Sequence, residues 1–275
     1  MESSTSQVAI VTGGSRGIGR AIAFALARSG AQVAVAARSE NELIETVEAI
    51  DGFGGRAMAV IADVSNGAAV RWMVHEVEDK FGPVDLLVNN AAVAEPLGPV
   101  ASADPDAWWR CFEVNMRGPF LCTQAVLPGM LARGCGRIVH VASGAGTFAI
   151  PNLSAYAVSK TALIRFSETV AIEAGPAGVR SFSIEPGMVR TAMAESLLNH
   201  PQADEWFPWF GERIDAGRDV PPERGAELVL KLASGRYDAL SGSFLYIEDE
   251  LDQLVSRAEE IRRLHLYTLA LKKVQ

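Results

Sequence analysis

Near its start the chain reads Val8-Ala9-Ile10-Val11-Thr12-Gly13-Gly14-Ser15-Arg16-Gly17-Ile18-Gly19. The first four residues are a short apolar run, which is typical of a strand buried on both faces. The glycines follow directly, and the Ala-rich segment from Arg20 to Arg28 has helical character. Glycine permits a tight turn and a close approach of the backbone to a pyrophosphate, whose charge the N-terminus of a helix stabilises. Strand, glycine loop and helix in this order predict a dinucleotide-binding site, whereas a glycine cluster alone would predict only a turn.

The segments that follow alternate between strand-like and helix-like patterns. The expected strands cover residues 8–11, 32–37, 56–62, 84–88, 137–142, 179–185 and 242–247. The expected helices cover residues 20–28, 42–50, 68–81, 106–131, 156–174 and 221–233, with a kink at Gly118-Pro119 in the fourth. Alternation without an internal repeat predicts a three-layer α/β/α arrangement, in which a doubly wound parallel sheet of about seven strands lies between helices.

The composition fits a large α/β protein. With 275 residues, 49% hydrophobic and 21% charged, the chain can bury one sizeable core, and we expect a single domain over residues 1–275. A formal net charge of -8 argues against a nucleic-acid or anionic-membrane binder.

Cys111, Cys122 and Cys135 lack metal or redox spacing and are typical of reduced cytosolic cysteines. Residues 1–7 show no signal-peptide core, and no uncharged apolar run approaches the roughly 20 residues that span a bilayer. The expected location is cytoplasmic.

Polar residues follow four of the expected strands. They are Thr12, Asp63, Asn90 and Ser143. The carboxyl ends of parallel strands meet at one edge of a sheet, and ligands of doubly wound proteins bind beyond that edge. We therefore expect these four side chains to line one site.

A second pattern lies after Ser143, where a glycine-containing loop leads to Tyr156 and Lys160. Residues four apart share one face of a helix. A nearby ammonium lowers the pKa of a phenol, and a serine hydroxyl beside the phenol can hold a carbonyl oxygen during proton transfer. The alternative is a serine that ends a strand and a surface Tyr/Lys pair. The position at the shared edge favours proton-transfer chemistry.

The end of the second expected strand bears on cofactor choice. An acidic residue there would hydrogen-bond the ribose of NAD, but Ala36, Ala37 and Arg38 offer none. Arg38 and Arg16 could instead neutralise the 2′-phosphate of NADP, although Glu40 weakens their field. Both arginines could also be solvated surface residues. The pattern favours NADP(H), with NAD(H) possible.

Taken together, these motifs resemble the short-chain dehydrogenase/reductase family over Val8 to Ile247, which implies a Rossmann-type domain. The resemblance is carried by Thr12-Gly13-x-x-x-Gly17-x-Gly19, Asp63, Asn89-Asn90-Ala91, Asn115, Ser143, Tyr156-x-x-x-Lys160 and Pro186-Gly187-x-Val189-x-Thr191. Each motif is weak alone, but their order and spacing are specific.

The resemblance implies catalytic roles for four residues. Tyr156 would be the acid/base, and Ser143 would position the substrate carbonyl or hydroxyl. Lys160 would bind the nicotinamide ribose and lower the pKa of Tyr156. Asn115 would hold a water that relays protons to Lys160.

The resemblance also implies a set of cofactor contacts. Besides Tyr156 and Lys160, these are Gly13, Ser15, Arg16, Gly17, Ile18 and Gly19 in the glycine loop, Arg38 after the second strand, Asp63 and Val64 at the adenine, Asn90 and Ala91 near the adenosine ribose, and Pro186, Gly187, Val189 and Thr191 on the nicotinamide side.

Two functions from different classes remain open. The first is an NADP(H)-dependent oxidoreductase that passes a hydride between nicotinamide C4 and a ketone or secondary alcohol, with Tyr156 moving the proton; an NAD-dependent alcohol dehydrogenase is its variant. The second is a non-catalytic NADP(H)-sensing protein. The complete set of Asn115, Ser143, Tyr156 and Lys160 favours the enzyme, whose partner would be a small-molecule carbonyl or alcohol.

Residues 192–220 correspond to the segment that in this family usually covers the substrate. Here the segment contains Trp206-Phe207-Pro208-Trp209-Phe210. Trp206 and Trp209 are candidate substrate contacts in an aromatic lid. The rings could equally pack the lid onto its own domain or onto a neighbouring subunit.

Beyond the family core of residues 8–247, residues 248–275 form an extension. Its amphipathic stripe predicts one added C-terminal helix and consists of Leu251, Leu254, Val255, Ala258 and Ile261. A metal site at the acidic residues 248–250 is not favoured. The family implies a homodimer or homotetramer, but the extension makes the tetramer doubtful. It could cover its own domain, wrap a partner subunit or edge the active site.

Overall fold

The computed structural model of the protein describes residues 6–271. Residues 1–5 of the polar N-terminal segment and residues 272–275 of the predicted extension lie outside the described residues. Within residues 6–271, no helix combines the length and apolar character that a membrane crossing requires.

A single sheet organises the described chain. Its strands are β1 (Val8–Thr12), β2 (Gln32–Ala37), β3 (Arg56–Ile61), β4 (Leu86–Asn89), β5 (Gly136–Val141), β6 (Val179–Glu185) and β7 (Phe244–Tyr246). All neighbours pair in parallel, in the order β3-β2-β1-β4-β5-β6-β7. The predicted doubly wound parallel sheet of seven strands is confirmed. Because the order reverses between β1 and β4, a crevice opens at the carboxyl ends of these two strands.

Helices cover both faces of the sheet. They are α1 (Gly17–Arg28), α2 (Glu40–Gly52), α3 (Gly67–Phe81), α4 (Pro105–Phe112), α5 (Gly118–Arg133), α6 (Ser154–Ala174), α7 (Ala192–Leu198), α8 (Ala203–Trp206), α9 (Pro208–Asp215), α10 (Glu223–Ala233), α11 (Leu251–Ser256) and α12 (Ala258–Leu264).

Alternate strand residues build two separate cores, as the period of a strand requires. Val11 and Val33 pack on the side of α1, α2 and α10. Ile10 and Ala34 pack on the side of α3, α5 and α6. The central strands are therefore buried on both faces, which explains why their sequences are continuously apolar.

The long helix predicted over residues 106–131 is interrupted, but not at Gly118-Pro119. A π-helical segment at Glu113–Arg117 separates α4 from α5, so the break lies one turn earlier than predicted. Pro119 lies at the start of α5, where a missing N–H is tolerated. The π-helical turn instead carries Asn115, which is buried and turned towards the loop after β4.

The C-terminal extension forms two short helices instead of the single helix predicted. The break lies at Arg257, between α11 and α12. Leu251, Ala258 and Ile261 are buried in the same core as α1 and α10. Of the three alternatives for the extension, its described residues therefore cover their own domain.

After α12 the chain passes along the edge of the sheet. We call residues 266–269 the C-terminal strap. The Phe244 N–H of β7 donates to the Tyr267 carbonyl at 2.7 Å, and the Leu269 N–H donates to Glu168 Oε1 at 2.8 Å. The guanidinium of Arg165 donates to the Leu269 carbonyl. The strap thus joins the last strand to α6 and covers an edge that would otherwise be open to pairing.

Candidate active site

A cleft of about 530 Å³ opens beyond the carboxyl ends of the strands. Predicted site residues line it from one end to the other: Gly13, Ser15, Arg16, Gly17, Ile18, Arg38, Asp63, Val64, Asn90, Ala91, Tyr156, Lys160, Pro186 and Thr191. The other predicted residues, Gly19, Asn115, Ser143, Gly187 and Val189, are not among the lining residues. Of the four strand-end residues expected to line one site, Asp63 and Asn90 line this cavity, whereas Thr12, which is buried, and Ser143 do not.

The glycine loop is packed against the loop after β4. A Cβ on Gly13 would lie 2.8 Å from the Cα of Ala91, and a Cβ on Gly19 would lie 2.2 Å from the Gly13 carbonyl oxygen. Asn90 Nδ2 donates to the carbonyls of Thr12 and Gly13, at 3.0 and 3.1 Å. Glycine is required at these positions because another stretch of backbone lies against each of them. The side chain of Asn90 holds the loop through its two hydrogen bonds.

Two arginines stand at the far end of the cleft. Arg16 Nη1 lies 3.8 Å from Glu42 Oε1 at the solvent surface, and Ser15 Oγ donates to Glu42 Oε2 at 2.9 Å. The acidic neighbour of Arg16 is thus Glu42, whereas the sequence had suggested Glu40. Within residues 6–271, Arg38 has no carboxylate within 4.0 Å. Both arginines line the cleft, and Arg38, which has no carboxylate close by, can face an anionic ligand there.

Asp63 is held by a neighbour that the sequence motifs did not include. Arg110 of α4 donates to Asp63 Oδ2 at 2.8 Å, while the Ser65 hydroxyl and N–H donate to Oδ1 at 2.6 and 2.9 Å. Burial raises the pKa of Asp63, but the hydrogen bonds from Ser65 and Arg110 outweigh burial and lower this pKa to about 2. The carboxylate is therefore ionised and fixed in place.

The residues predicted to handle the proton meet at the other end of the cleft. Ser143 lies just beyond β5, and its Oγ accepts the Ala145 N–H at 3.2 Å. It is close enough to Tyr156 to oppose the rise in the pKa of that phenol. Lys160 is 2% exposed, and its Nζ donates to the Val141 carbonyl at 2.8 Å. The same Nζ lies 5.5 Å from the centre of the Tyr156 ring. The expected cluster of serine, tyrosine and lysine is present.

The electrostatics of this cluster differ from the expectation in one respect. Burial raises the pKa of Tyr156 above its usual range, the Ser143 hydrogen bond opposes this, and the charge of Glu185 adds to it. Burial also lowers the pKa of Lys160 to about 8. The sequence predicted that Lys160 would lower the pKa of Tyr156. Among the protein groups the net direction is the opposite, because the burial of both side chains could not be read from the spacing.

Asn115 is fully buried beside this cluster. Its Oδ1 accepts the Val93 N–H at 2.9 Å, and its Nδ2 donates to the Val93 carbonyl at 2.8 Å and to Ser159 Oγ at 3.0 Å. Ser159 in turn donates to the carbonyl of Tyr156 at 2.7 Å. The amide therefore connects the loop after β4 to α6, and its own polar groups are used by the protein.

The two lid tryptophans lie outside the residues that line the cleft. A Cβ on Gly98 would lie 3.0 Å from Trp206 Cη2, and the ring of His200 stacks on Trp206 at 4.8 Å. Trp209 is 40% exposed. Trp206 thus packs the lid onto the loop between β4 and α4, and contact with a substrate stays a prediction for both rings.

Sequence reasoning missed two charged residues next to predicted ones. Arg110 holds Asp63, and Glu185 ends β6 beside the Ser143 loop. Glu185 carried a usable signal, since it stands at a strand end on the same edge as Asp63 and Ser143. Arg110 carried none, because it lies 47 residues from Asp63 on a helix.

Comparisons with known proteins agree with the fold and the cleft. The profile of the short chain dehydrogenase family matches residues 7–202. A short chain dehydrogenase of Pseudocercospora fijiensis is 44% identical over 263 residues, covering 92% of this chain and 84% of that protein. A 3-oxoacyl-[acyl-carrier-protein] reductase of a Synechocystis species is 39% identical over 202 residues, covering 73% and 81%.

A solved structure is similar over nearly the whole length. A variant of the actinorhodin polyketide ketoreductase, determined with NADPH, gives a TM-score of 0.82 at 33% identity and covers 90% of this chain and 97% of that one. This likeness extends well past the segment that matches the family profile. The chain is an oxidoreductase and belongs to the short chain dehydrogenase family.

Proposed function

We propose that this oxidoreductase is an NADP(H)-dependent ketoreductase in which Tyr156 is the acid/base. The observation that carries the proposal is the cluster of Ser143, Tyr156 and Lys160 at one end of a cleft whose other end is the glycine loop. The names of similar proteins, a 3-oxoacyl-[acyl-carrier-protein] reductase and a polyketide ketoreductase, support carbonyl reduction as the reaction.

The residues at the glycine loop fit a dinucleotide. Side chains are excluded at Gly13 and Gly19, so the glycine loop packs closely, and Gly13 lines the cleft before α1, a helix of 12 residues. Arg16 and Arg38 line the same end and suit a 2′-phosphate. Asp63, held by Arg110, would meet the adenine. When bound, NADP(H) supplies or accepts the hydride.

The chain's own part in the reaction is to place the carbonyl and move one proton. Ser143 Oγ would donate a hydrogen bond to the substrate oxygen. In reduction the Tyr156 hydroxyl gives its proton to that oxygen, and in oxidation the phenolate takes it back. The raised pKa of Tyr156 favours the protonated, proton-donating form. Lys160, fixed by the Val141 carbonyl, would hold the nicotinamide ribose.

Asn115 would serve this proton path through its backbone. Its side-chain amide is already bonded to Val93 and Ser159. Residue 119 is proline and has no N–H to give to the carbonyl four residues earlier, which is that of Asn115. A relay water next to Lys160 would bind that carbonyl.

We also propose that the protein is a homodimer that associates through α5 and α6. Large apolar side chains are exposed on these helices, with Phe120 at 42% and Val158 at 47%. The strap lies on the β7 edge, which supports a dimer over a tetramer that would need that edge.

One experiment tests the reaction and the cofactor together. NADPH and NADH oxidation would be followed with 3-oxoacyl thioesters and aromatic ketones, for the wild type and for Tyr156→Phe. We expect turnover with NADPH, and a loss of about 100- to 10,000-fold in kcat for the variant with unchanged NADPH binding. Tighter binding of NADH than NADPH would overturn the role given to Arg16 and Arg38. No turnover by the wild type, with NADPH bound, would instead favour the sensing protein.

A further inference from the structure

Ser159 lies on α6 between Tyr156 and Lys160 and is fully buried. Its hydroxyl donates to the Tyr156 carbonyl at 2.7 Å, and its Oγ accepts a hydrogen of Asn115 Nδ2 at 3.0 Å. A serine hydroxyl has one proton to donate, and here the carbonyl takes it while the oxygen accepts. Ser159 therefore joins the helix that carries the proton-transfer groups to the π-helical turn of Asn115.

The Asn115 side chain is held on its other side by the loop after β4. Its Oδ1 accepts the Val93 N–H at 2.9 Å, and its Nδ2 donates to the Val93 carbonyl at 2.8 Å. Cys111 Sγ lies 3.3 Å from the same Nδ2. Among the hydrogen bonds of this amide within residues 6–271, the bond to Ser159 is the one that reaches α6.

This bond links the two ends of the proposed proton path. Asn115 carries the carbonyl that has no N–H partner at Pro119. Lys160 directly follows Ser159, and its Nζ is fixed by the Val141 carbonyl at 2.8 Å. One hydrogen bond from Asn115 to the residue next to Lys160 thus sets the separation that the relay water must span.

Burial makes the bond hard to replace. Asn115 and Ser159 are both 0% exposed, and a buried polar group that loses its partner finds no bulk water to bond instead. With alanine at position 159, one Nδ2 hydrogen of Asn115 would keep only the Cys111 sulfur, a weak acceptor. The π-helical turn would then lose its hydrogen-bonded link to α6.

We propose that Ser159 is a positioning residue for proton transfer, which holds the Asn115 turn against α6 and so keeps the Asn115 carbonyl in reach of the relay water at Lys160. The inference rests on the proposed function. In reduction, Tyr156 gives its proton to the substrate oxygen while the carbon receives the hydride of NADPH, which leaves a phenolate, NADP⁺ and the alcohol. A proton from solvent then returns to the phenolate along the path that Ser159 positions.

The test compares Ser159→Ala with Ser167→Ala. Ser167 is the matched control, since it is also 0% exposed on α6, and its Oγ shares a hydrogen bond of 2.9 Å with Ser181 Oγ. Each substitution removes one buried hydroxyl, so we expect both to lower Tm by a similar amount, about 2 to 4 °C. A difference in catalysis between the two variants therefore reports on position and not on stability.

Steady-state kinetics with one ketone measures that difference. We expect kcat of Ser159→Ala to fall about tenfold, with the KM for the ketone and the Kd for NADPH within about twofold of the wild type. Ser167→Ala should keep the wild-type kcat. An unchanged kcat in Ser159→Ala, an equal loss in both variants, or a KM that rises as far as kcat falls would overturn the proposal.

The solvent isotope effect reports on the proton path itself. Protons that return to Tyr156 come from water, so a slower return makes kcat more sensitive to D₂O. We expect a larger ratio of kcat in H₂O to kcat in D₂O for Ser159→Ala than for the wild type and Ser167→Ala. A lower kcat with an unchanged ratio would place the effect of Ser159 on another step and refute its role in proton transfer.

Hydrogen–deuterium exchange gives a readout that needs no turnover. The Val93 N–H is held by Asn115 Oδ1, so we expect this amide to exchange faster in Ser159→Ala than in the wild type and Ser167→Ala. Equal exchange in all three proteins would overturn the positioning role even if no ketone is reduced. A wild type that is inactive on every ketone, with this exchange difference present, would instead reject the proposed function.

Discussion

The pairing of Asp63 with Arg110 shows how a motif residue can depend on a partner from a distant element. Three donors from Ser65 and Arg110 fix the Asp63 carboxylate at the end of the cleft that would receive the adenine. Arg110 also donates to Ser65 Oγ at 2.7 Å, so one guanidinium organises the whole turn after β3. Loss of Arg110 should therefore affect both stability and cofactor binding.

The pH dependence of Arg110→Met checks this arrangement. The pKa of Asp63 falls from 3.8 to about 2 on folding. The contribution of this carboxylate to folding stability is therefore complete above pH 3.8 and is lost as pH falls through 2. Because both side chains are partly exposed, we expect the variant to melt only about 2 to 3 °C below the wild type at neutral pH. The difference in Tm should shrink towards pH 2. Arg71→Met, an exposed arginine of α3, serves as control; a difference that stays constant down to pH 2 would refute the role of Asp63.

At the scale of single residues, the sequence predicted where a residue lies better than which residues it contacts. Thr12, Asp63, Asn90 and Ser143 could be placed on one edge because strand ends follow from local patterns. The bonds from Arg110 to Asp63 and from Gly144 to Glu185 span 47 and 41 residues. Such contacts depend on how helices and loops are set against the sheet, which no local pattern records.

The lid illustrates the same distinction for a whole element. The segment of α7, α8 and α9 docks through Trp206 on Gly98, and the Gly98 N–H donates to the Asn152 carbonyl at 2.8 Å in the loop before α6. Gly98 has a φ of 120°, and a side chain there would meet the indole. The lid position is thus coupled to the loop that leads to Tyr156.

Substitution of the two lid tryptophans distinguishes the effect of a packed ring, Trp206, from that of an exposed ring, Trp209. We expect Trp206→Ala to raise the KM for the ketone roughly tenfold, because the lid loses its contact with Gly98 and closes less often. Trp209→Ala, in the same segment but exposed, should change KM little. Steady-state kinetics on one ketone with saturating NADPH measures both; equal effects, or an unchanged KM in both, would contradict the docking role.

Helix and strand boundaries were predicted within a few residues where apolar periodicity was strong. Two errors have a common cause. The π-helical segment at Glu113–Arg117 and the break at Arg257 both lie within continuous helical patterns. Buried side chains lie at or next to both breaks, Asn115 in the first and Ala258 with Ile261 in the second, and tertiary contacts of this kind can override local propensity.

On the scale of the molecule, the exposed apolar face of α5 and α6 is the surface that we propose for binding a second copy. Phe120 of α5 is 42% exposed and lies 6.1 Å from Phe166 of α6, measured between ring centres. Phe120→Glu would place a charge in the proposed interface, and we expect it to weaken association at least about tenfold.

Sedimentation over a range of concentrations measures this effect. Ile44→Glu is the matched control, since Ile44 is 43% exposed on α2, away from α5 and α6. We expect Ile44→Glu to sediment as the wild type and Phe120→Glu to shift towards the monomer. A monomeric wild type, or a dimer that neither substitution weakens, would rule out this interface.

The C-terminal strap has a consequence for synthesis. The ribosome makes residues 266–269 only after all seven strands, and the Leu269 N–H must reach Glu168, 101 residues earlier. Until then the β7 backbone, including the Phe244 N–H, has a free edge on a nearly complete sheet. A newly made chain whose strap has not yet docked can pair with other strands through this edge, so docking of the strap protects the protein from aggregation.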